Sequence, residues 1–74
     1  MVEAIHYVIC DPEVRFGKPS LIGTRITVGD ILGWLASGMS VEEILEDFPS
    51  LTKEMIQAAL AFAAKKQDVV KYVL

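Results

Sequence analysis

Two periodicities divide this chain. Residues 2–10, VEAIHYVIC, are almost continuously apolar and rich in β-branched and aromatic side chains. Their length, and the Asp11-Pro12 pair that closes them, predict a strand buried on more than one face, because proline cannot donate to a ladder. DPEVRFGKP reads as a loop. SLIGTRIT then alternates, with Ile22, Thr24 and Ile26 on one face and Leu21, Gly23 and Arg25 on the other. A second strand is expected there, with a bulge or close backbone approach at Gly23.

From Val28 onward the apolar positions recur every three to four residues. Val28, Ile31, Leu32 and Leu35 form one helical stripe. Thr27 is placed to cap it with Asp30 three residues on, and Gly38 suits the left-handed residue that ends a helix, so a first helix is expected over 28–37. Ser40 with Glu43 repeats the capping signature, and Glu42 adds negative charge at the positive end of the helix dipole. Val41, Ile44, Leu45 and Phe48 carry this second stripe until Pro49 stops it. Thr52 caps a third helix with Glu54 in its first turn and Lys65-Lys66 near its expected end. Its wide apolar face (Met55, Ile56, Ala59, Leu60, Phe62, Ala63) suits central packing against two others. QDVVKYVL is compatible with helix or strand.

Three short helices joined by tight turns make a tri-helical bundle. The second and third have the length and spacing of a helix-turn-helix, although the connecting PSLT lacks the glycine many such turns carry. The expected fold is one domain over 1–74, mainly α within the α+β class. It comprises an N-terminal β-hairpin over 1–27, a helix-turn-helix-like three-helix bundle over 28–66 and a C-terminal tail over 67–74. A two-stranded hairpin is barely stable alone in water, so the strands are expected to pair with those of a second subunit.

Composition sharpens that last expectation. A chain of 74 residues buries only about 60% of its unfolded surface, and small folds usually add disulfides, a metal or oligomerisation. One cysteine excludes an internal disulfide, and one histidine excludes a His-rich metal site. The apolar content of 53% leaves surface to share between subunits. The unpaired thiol suits a reducing compartment. MVEAIHYVIC has no basic start of the kind a signal peptide carries, and charges interrupt every apolar run below membrane-span length, so a cytoplasmic protein is expected.

The net charge of −3 is unevenly spread. Residues 14–29 contain Arg15, Lys18 and Arg25 and no acid, whereas residues 30–54 are strongly acidic. The functional reading of the basic stretch is contact with phosphate, since arginine and backbone N–H groups suit phosphate oxygens. The structural reading is that Gly17 and Gly23 permit a turn and a bulge while Arg25 pairs with an acid of the following region. No Walker loop or dinucleotide fingerprint is present, so no nucleotide cofactor is expected. At the start of the third helix Lys53 and Gln57 occupy positions that read base edges in a helix-turn-helix, but Glu54 repels phosphate, and a solvated helical face is the plainer reading. The second helix (Glu42, Glu43, Glu46, Asp47) is acidic where such motifs approach the backbone. His6 and Cys10 share one face of the first predicted strand. They lack further ligands at any metal spacing and a third group to orient a thiol, so both are expected as core residues. Trp34, beside the first helix's stripe, is either core filling or a partner surface. No catalytic constellation, metal site or enzyme activity is expected.

DPEV, GKP and GTRI-x-V, followed by GMS-x-EEIL-x-D-x-P-x-LT and AAL-x-x-A, resemble the family catalogued as domain of unknown function 433, from about Asp11 to Ala64. The GKP and GTRI pair is the most specific part. The resemblance implies a homeodomain-like helix-turn-helix bundle with an N-terminal β element. It also implies an antitoxin of a prokaryotic toxin–antitoxin pair, similar to VapB-type antitoxins, whose partner is a ribonuclease toxin with a PIN-like fold. VapB-type antitoxins commonly carry a long extension after the third helix, and none is expected here. The mechanism this suggests has two parts: a dimer binding operator DNA as a transcription regulator, and a basic, apolar surface docking on the toxin. Arg15, Lys18, Arg25, Lys53 and Gln57 are the candidate DNA contacts, and Arg15, Arg25 and Trp34 the candidate partner contacts. The alternative is a protein-interaction module that binds no nucleic acid, which the acidic pI of 4.9 favours. The expected homodimer is checked by light scattering, where a clean monomer near 8.2 kDa at micromolar concentration overturns it.

Overall fold

The structure, a computed structural model, describes the backbone of residues 6–73 and the side chains of residues 6–65. Its elements are β1 (Val8–Ile9), β2 (Ser20–Leu21), α1 (Val28–Ala36), α2 (Val41–Asp47) and α3 (Lys53–Val73), with a left-handed turn at Arg15–Gly17. This is the mainly helical α+β arrangement expected, three helices behind a two-stranded antiparallel hairpin. Val8 faces Leu21 and Ile9 faces Ser20.

The strands are much shorter than the alternation predicted. Of 2–10 only Val8–Ile9 is strand among the described residues, and 2–5 lie outside them. SLIGTRIT is not a straight strand but folds back on itself. Gly23 takes φ 76°, the Thr24 N–H bonds the Leu21 carbonyl at 3.0 Å, and the Leu21 N–H returns to the Ile26 carbonyl at 2.8 Å. The Thr24 hydroxyl donates to Leu21 O at 2.8 Å and accepts from the Ile26 N–H at 3.0 Å. A glycine free to turn left-handed, followed by a threonine that satisfies the local backbone, outcompetes ladder pairing here. The alternation assigned neither face to the core, and the reversal decides it: Leu21 is fully buried and Ile22 exposed.

Helix ends follow their local chemistry. The Thr27 Oγ1 accepts from the Asp30 N–H at 2.9 Å while an Asp30 carboxylate oxygen accepts from the Thr27 N–H at 3.1 Å. Ser40 and Glu43 form the same reciprocal pair at α2. The Thr52 hydroxyl accepts from the Met55 N–H at the start of α3. Gly38, at φ 104°, closes α1: its N–H bonds the Leu35 carbonyl and the Met39 N–H bonds that of Trp34, the paired pattern of a left-handed helix stop. α1 therefore ends at Ala36, one residue early. Phe48 leaves helical geometry before Pro49, as the residue before proline must. α3 runs past Lys65-Lys66 to Val73, so the ambiguous QDVVKYV is helix.

α3 packs against α1, α2 and β1, and the core lies where these meet. Leu21, Ile31, Ile44 and Ile56 are its largest fully buried side chains, with Val28, Leu51, Met55 and Ala59 completing it. Ala58, outside the predicted α3 face, is also fully buried, because a helix pressed on several sides hides more than one stripe. Trp34 stacks on Phe48 with ring centroids 4.2 Å apart and planes 11° from parallel, which pins the end of α1 to the end of α2. Among the described residues no helix is long and apolar enough to cross a membrane.

Thr27 is nearly buried, whereas the equivalent Ser40 is exposed. Thr27→Val keeps the shape and removes the capping oxygen. It is expected to destabilise the fold by about 1–2 kcal/mol and lower Tm by roughly 4–8 °C per kcal/mol. Ser40→Ala should cost less, and thermal unfolding followed by circular dichroism ranks the two.

Candidate basic turn and cleft

The basic stretch is organised by a backbone conformation that its sequence does not favour. Arg15, Phe16 and Gly17 take φ of 50°, 61° and 81° in succession. Only glycine enters that region freely, so the two residues with a Cβ carry strain of about 1–3 kcal/mol each. Hydrogen bonds over-determine the turn: the Gly17 N–H to the Val14 carbonyl at 3.1 Å and the Lys18 N–H to the Arg15 carbonyl at 3.2 Å. The consequence is that Phe16 stands 95% exposed.

Arg15 ties this turn to the rest of the molecule. Its Nη1 donates to the Asp30 carboxylate at 2.9 Å and to the Arg25 carbonyl at 3.1 Å. One guanidinium thus joins the left-handed turn, the 20–27 reversal and the first turn of α1. The acid pairing foreseen for Arg25 is therefore made by Arg15. The pair is about one-third exposed, 35% for Arg15 and 30% for Asp30, which limits its contribution through solvent screening. Partial burial pushes the Asp30 carboxyl up. The Thr27 backbone N–H, the Arg15 hydrogen bond and charge, and the Thr27 hydroxyl together outweigh that and hold its pKa below the ordinary 3.8.

Between this turn, the start of α1 and α3 lies an open cleft of about 460 Å3. Pro19, Val28, Leu32, Phe62 and Ala63 give it an apolar lining, with Arg15, Lys18 and Asp30 also on its wall. Lys18 and Arg25 are exposed, and among the described residues neither makes an ion pair.

The sequence-predicted site residues divide accordingly. Arg15 and Lys18 line the cleft, whereas Arg25 joins them only through its carbonyl, which accepts from the Arg15 guanidinium. Lys53 and Gln57 are exposed on the first turns of α3, beside an equally exposed Glu54, and do not line the cleft. Trp34 lies at the far end of α1 from the cleft, half-buried against Phe48. His6 and Cys10, expected in the core, are both exposed, because among the described residues the strand that was to bury them spans Val8–Ile9 alone. Among the described residues no three His, Cys, Asp or Glu side chains gather to hold a metal. Phe16 was missed altogether. Its only sequence signal is an aromatic residue before glycine inside a basic, acid-free loop, where no periodicity marks burial.

Residues 8–63 match the family described as "Protein of unknown function (DUF433)", more than half of the chain. The chain belongs to the DUF433 family. This is the family that the GKP and GTRI motifs resemble. A DUF433 member protein from Anabaena variabilis, solved by crystallography, superposes with a TM-score of 0.78 at 25% identity, over 88% of this chain and 64% of that one. The protein described as "Uncharacterized protein y4eO" of Sinorhizobium fredii is 38% identical over 63 residues, a match spanning 85% of this chain and 28% of that protein. This DUF433 chain therefore spans less than two thirds of each of these relatives.

The Asp30 shift fixes a sign for pH dependence. A carboxylate whose folded pKa is depressed contributes stability that is fully present above its unfolded value of 3.8, and that is lost as pH falls through the folded value. Asp30→Asn should therefore be less stable than wild type at neutral pH, with the gap closing in acid. Urea unfolding midpoints across an acid pH series check this, and a gap that persists unchanged at low pH contradicts it.

Proposed function

We propose that this domain is the antitoxin half of a prokaryotic toxin–antitoxin pair and docks its basic turn face on a ribonuclease toxin with a PIN-like fold. The observation that carries the reading is Arg25. It is exposed on a reversal fixed by Thr24 and by the Arg15 guanidinium on its own carbonyl. Its guanidinium, which makes no ion pair among the described residues, suits a nuclease centre, where carboxylates gather to hold metal ions and offer the planar geometry that arginine meets with two hydrogen bonds. Arg15 contributes by holding that turn rather than by entering the partner, since its own charge is engaged by Asp30.

A second part of the reading is operator binding through α2 and α3 as a helix-turn-helix. Lys53 and Gln57, exposed at the start of α3, favour it. The exposed Glu42, Glu43, Glu46 and Asp47 of α2 oppose it, because the helix that would cross the phosphate backbone is acidic. That opposition favours the alternative of a protein-interaction module that binds no nucleic acid.

Two measurements separate these parts. Co-purification with the product of the adjacent gene should yield a complex that Arg25→Ala weakens by about tenfold or more, and that Arg25→Lys rescues only in part. A neighbour that is no nuclease and does not bind ends the antitoxin reading. A gel shift with the promoter region tests the DNA part, and no shift at low salt, where phosphate contacts are strongest, removes it.

A further inference from the structure

Beside α1 the surface combines three features that the packing of the domain leaves open. The cleft of about 460 Å3, lined by Pro19, Val28, Leu32 and Phe62, is large enough for a bulky side chain. Lys18 stands exposed on its wall and, among the described residues, has no carboxylate partner, because Arg15 already holds Asp30. Phe16 projects 95% exposed from a turn that its left-handed backbone and the Arg15 guanidinium keep in one shape. Its neighbours Arg15 and Lys18 both line the cleft. An exposed aromatic on a held turn beside an apolar recess is a common composition of an interface anchor, since a ring with two side-chain torsions loses little freedom on contact.

We propose that this turn and cleft form a docking site for a segment of a protein partner that places a large apolar side chain next to a carboxylate. The apolar side chain fills the cleft, the carboxylate meets Lys18, and Phe16 packs over the segment. Charge complementarity selects this occupant. Arg15 and Asp30 neutralise each other, which leaves Lys18 and Arg25 as the unbalanced charges of residues 14–30. A second copy of this chain fits poorly, because an isologous contact would turn this basic face onto itself with no carboxylate for Lys18. The site rests on reading the domain as a partner-binding module. It does not require that partner to be a nuclease, and no nuclease enters its test.

The test is fluorescence anisotropy of the full chain with three labelled octapeptide pools. One pool alternates Asp or Glu with Phe, Leu or Trp, one alternates Lys or Arg with the same apolar residues, and one alternates Asp or Glu with Ala or Ser. The first pool should bind at least about tenfold more tightly than either of the others. Lys18→Glu, Phe16→Ala and Leu32→Arg should each weaken it by about tenfold. Phe16 and Lys18 are exposed, so Phe16→Ala and Lys18→Glu should unfold at the wild-type temperature, and Phe16→Gly should unfold higher because the strain is relieved. Equal binding of the pools, or indifference to Lys18→Glu and Phe16→Ala, overturns the proposal. So does a Phe16→Ala variant that unfolds well below wild type, which makes the ring structural. Wild-type self-association that Phe16→Ala abolishes reassigns the face to a second copy. A random DNA duplex that binds where the acidic pool does not, and that Lys18→Glu releases, reassigns it to phosphate.

Discussion

The Asp30 carboxylate is the joint on which the basic half of the molecule depends. It accepts from the Thr27 N–H at the start of α1 and from the Arg15 guanidinium fifteen residues upstream, while its own N–H is held by Thr27. Neither bond alone is strong at this exposure. Together they satisfy donors that a helix start leaves open and fix how the loop before it is carried. The Arg15 guanidinium also reaches the Arg25 carbonyl, so three segments that share no regular ladder are aligned by one acid and one base.

That economy suits a chain with little core to spend on order. Among the described residues the fully buried hydrophobic set is a handful of aliphatic side chains where α3 meets α1, α2 and β2's Leu21. The sheet contributes two residues per strand, so the loops derive their shape from side-chain hydrogen bonds: Thr24 for the reversal, Arg15 and Asp30 for the left-handed turn. Stability and interaction chemistry therefore lie in the same short stretch. The strain at Arg15 and Phe16 is tolerable only because those bonds hold it.

What the sequence made legible was whatever is settled within four residues. The Thr27–Asp30 and Ser40–Glu43 spacings, Thr52, Gly38 and Pro49 placed five of the six helix ends to within a residue, since capping is a local contest for backbone donors and acceptors; Lys65-Lys66 did not mark the sixth, because α3 runs on to Val73. The GKP and GTRI motifs identified the family. The alternation in SLIGTRIT misled, because a reversal with Leu21 inside and Ile22 outside produces the same apolar spacing as a strand. The partner of Arg15 lies fifteen positions away, and the cleft exists only once α3 is packed on α1; neither has a signature in local spacing. Phe16 escaped for a related reason: its exposure follows from a left-handed φ that no periodic pattern announces.

The Trp34–Phe48 stack has an optical consequence. Trp34 is the only tryptophan in the chain, and it sits where the end of α1 meets the end of α2, away from the residues that line the cleft. Its emission therefore reports the docking of those two helices, shifting toward the red when the stack opens to water. Ligands that only fill the cleft leave that emission alone. The native fluorophore thus separates events that loosen the bundle from events that merely occupy its basic face, with no label added.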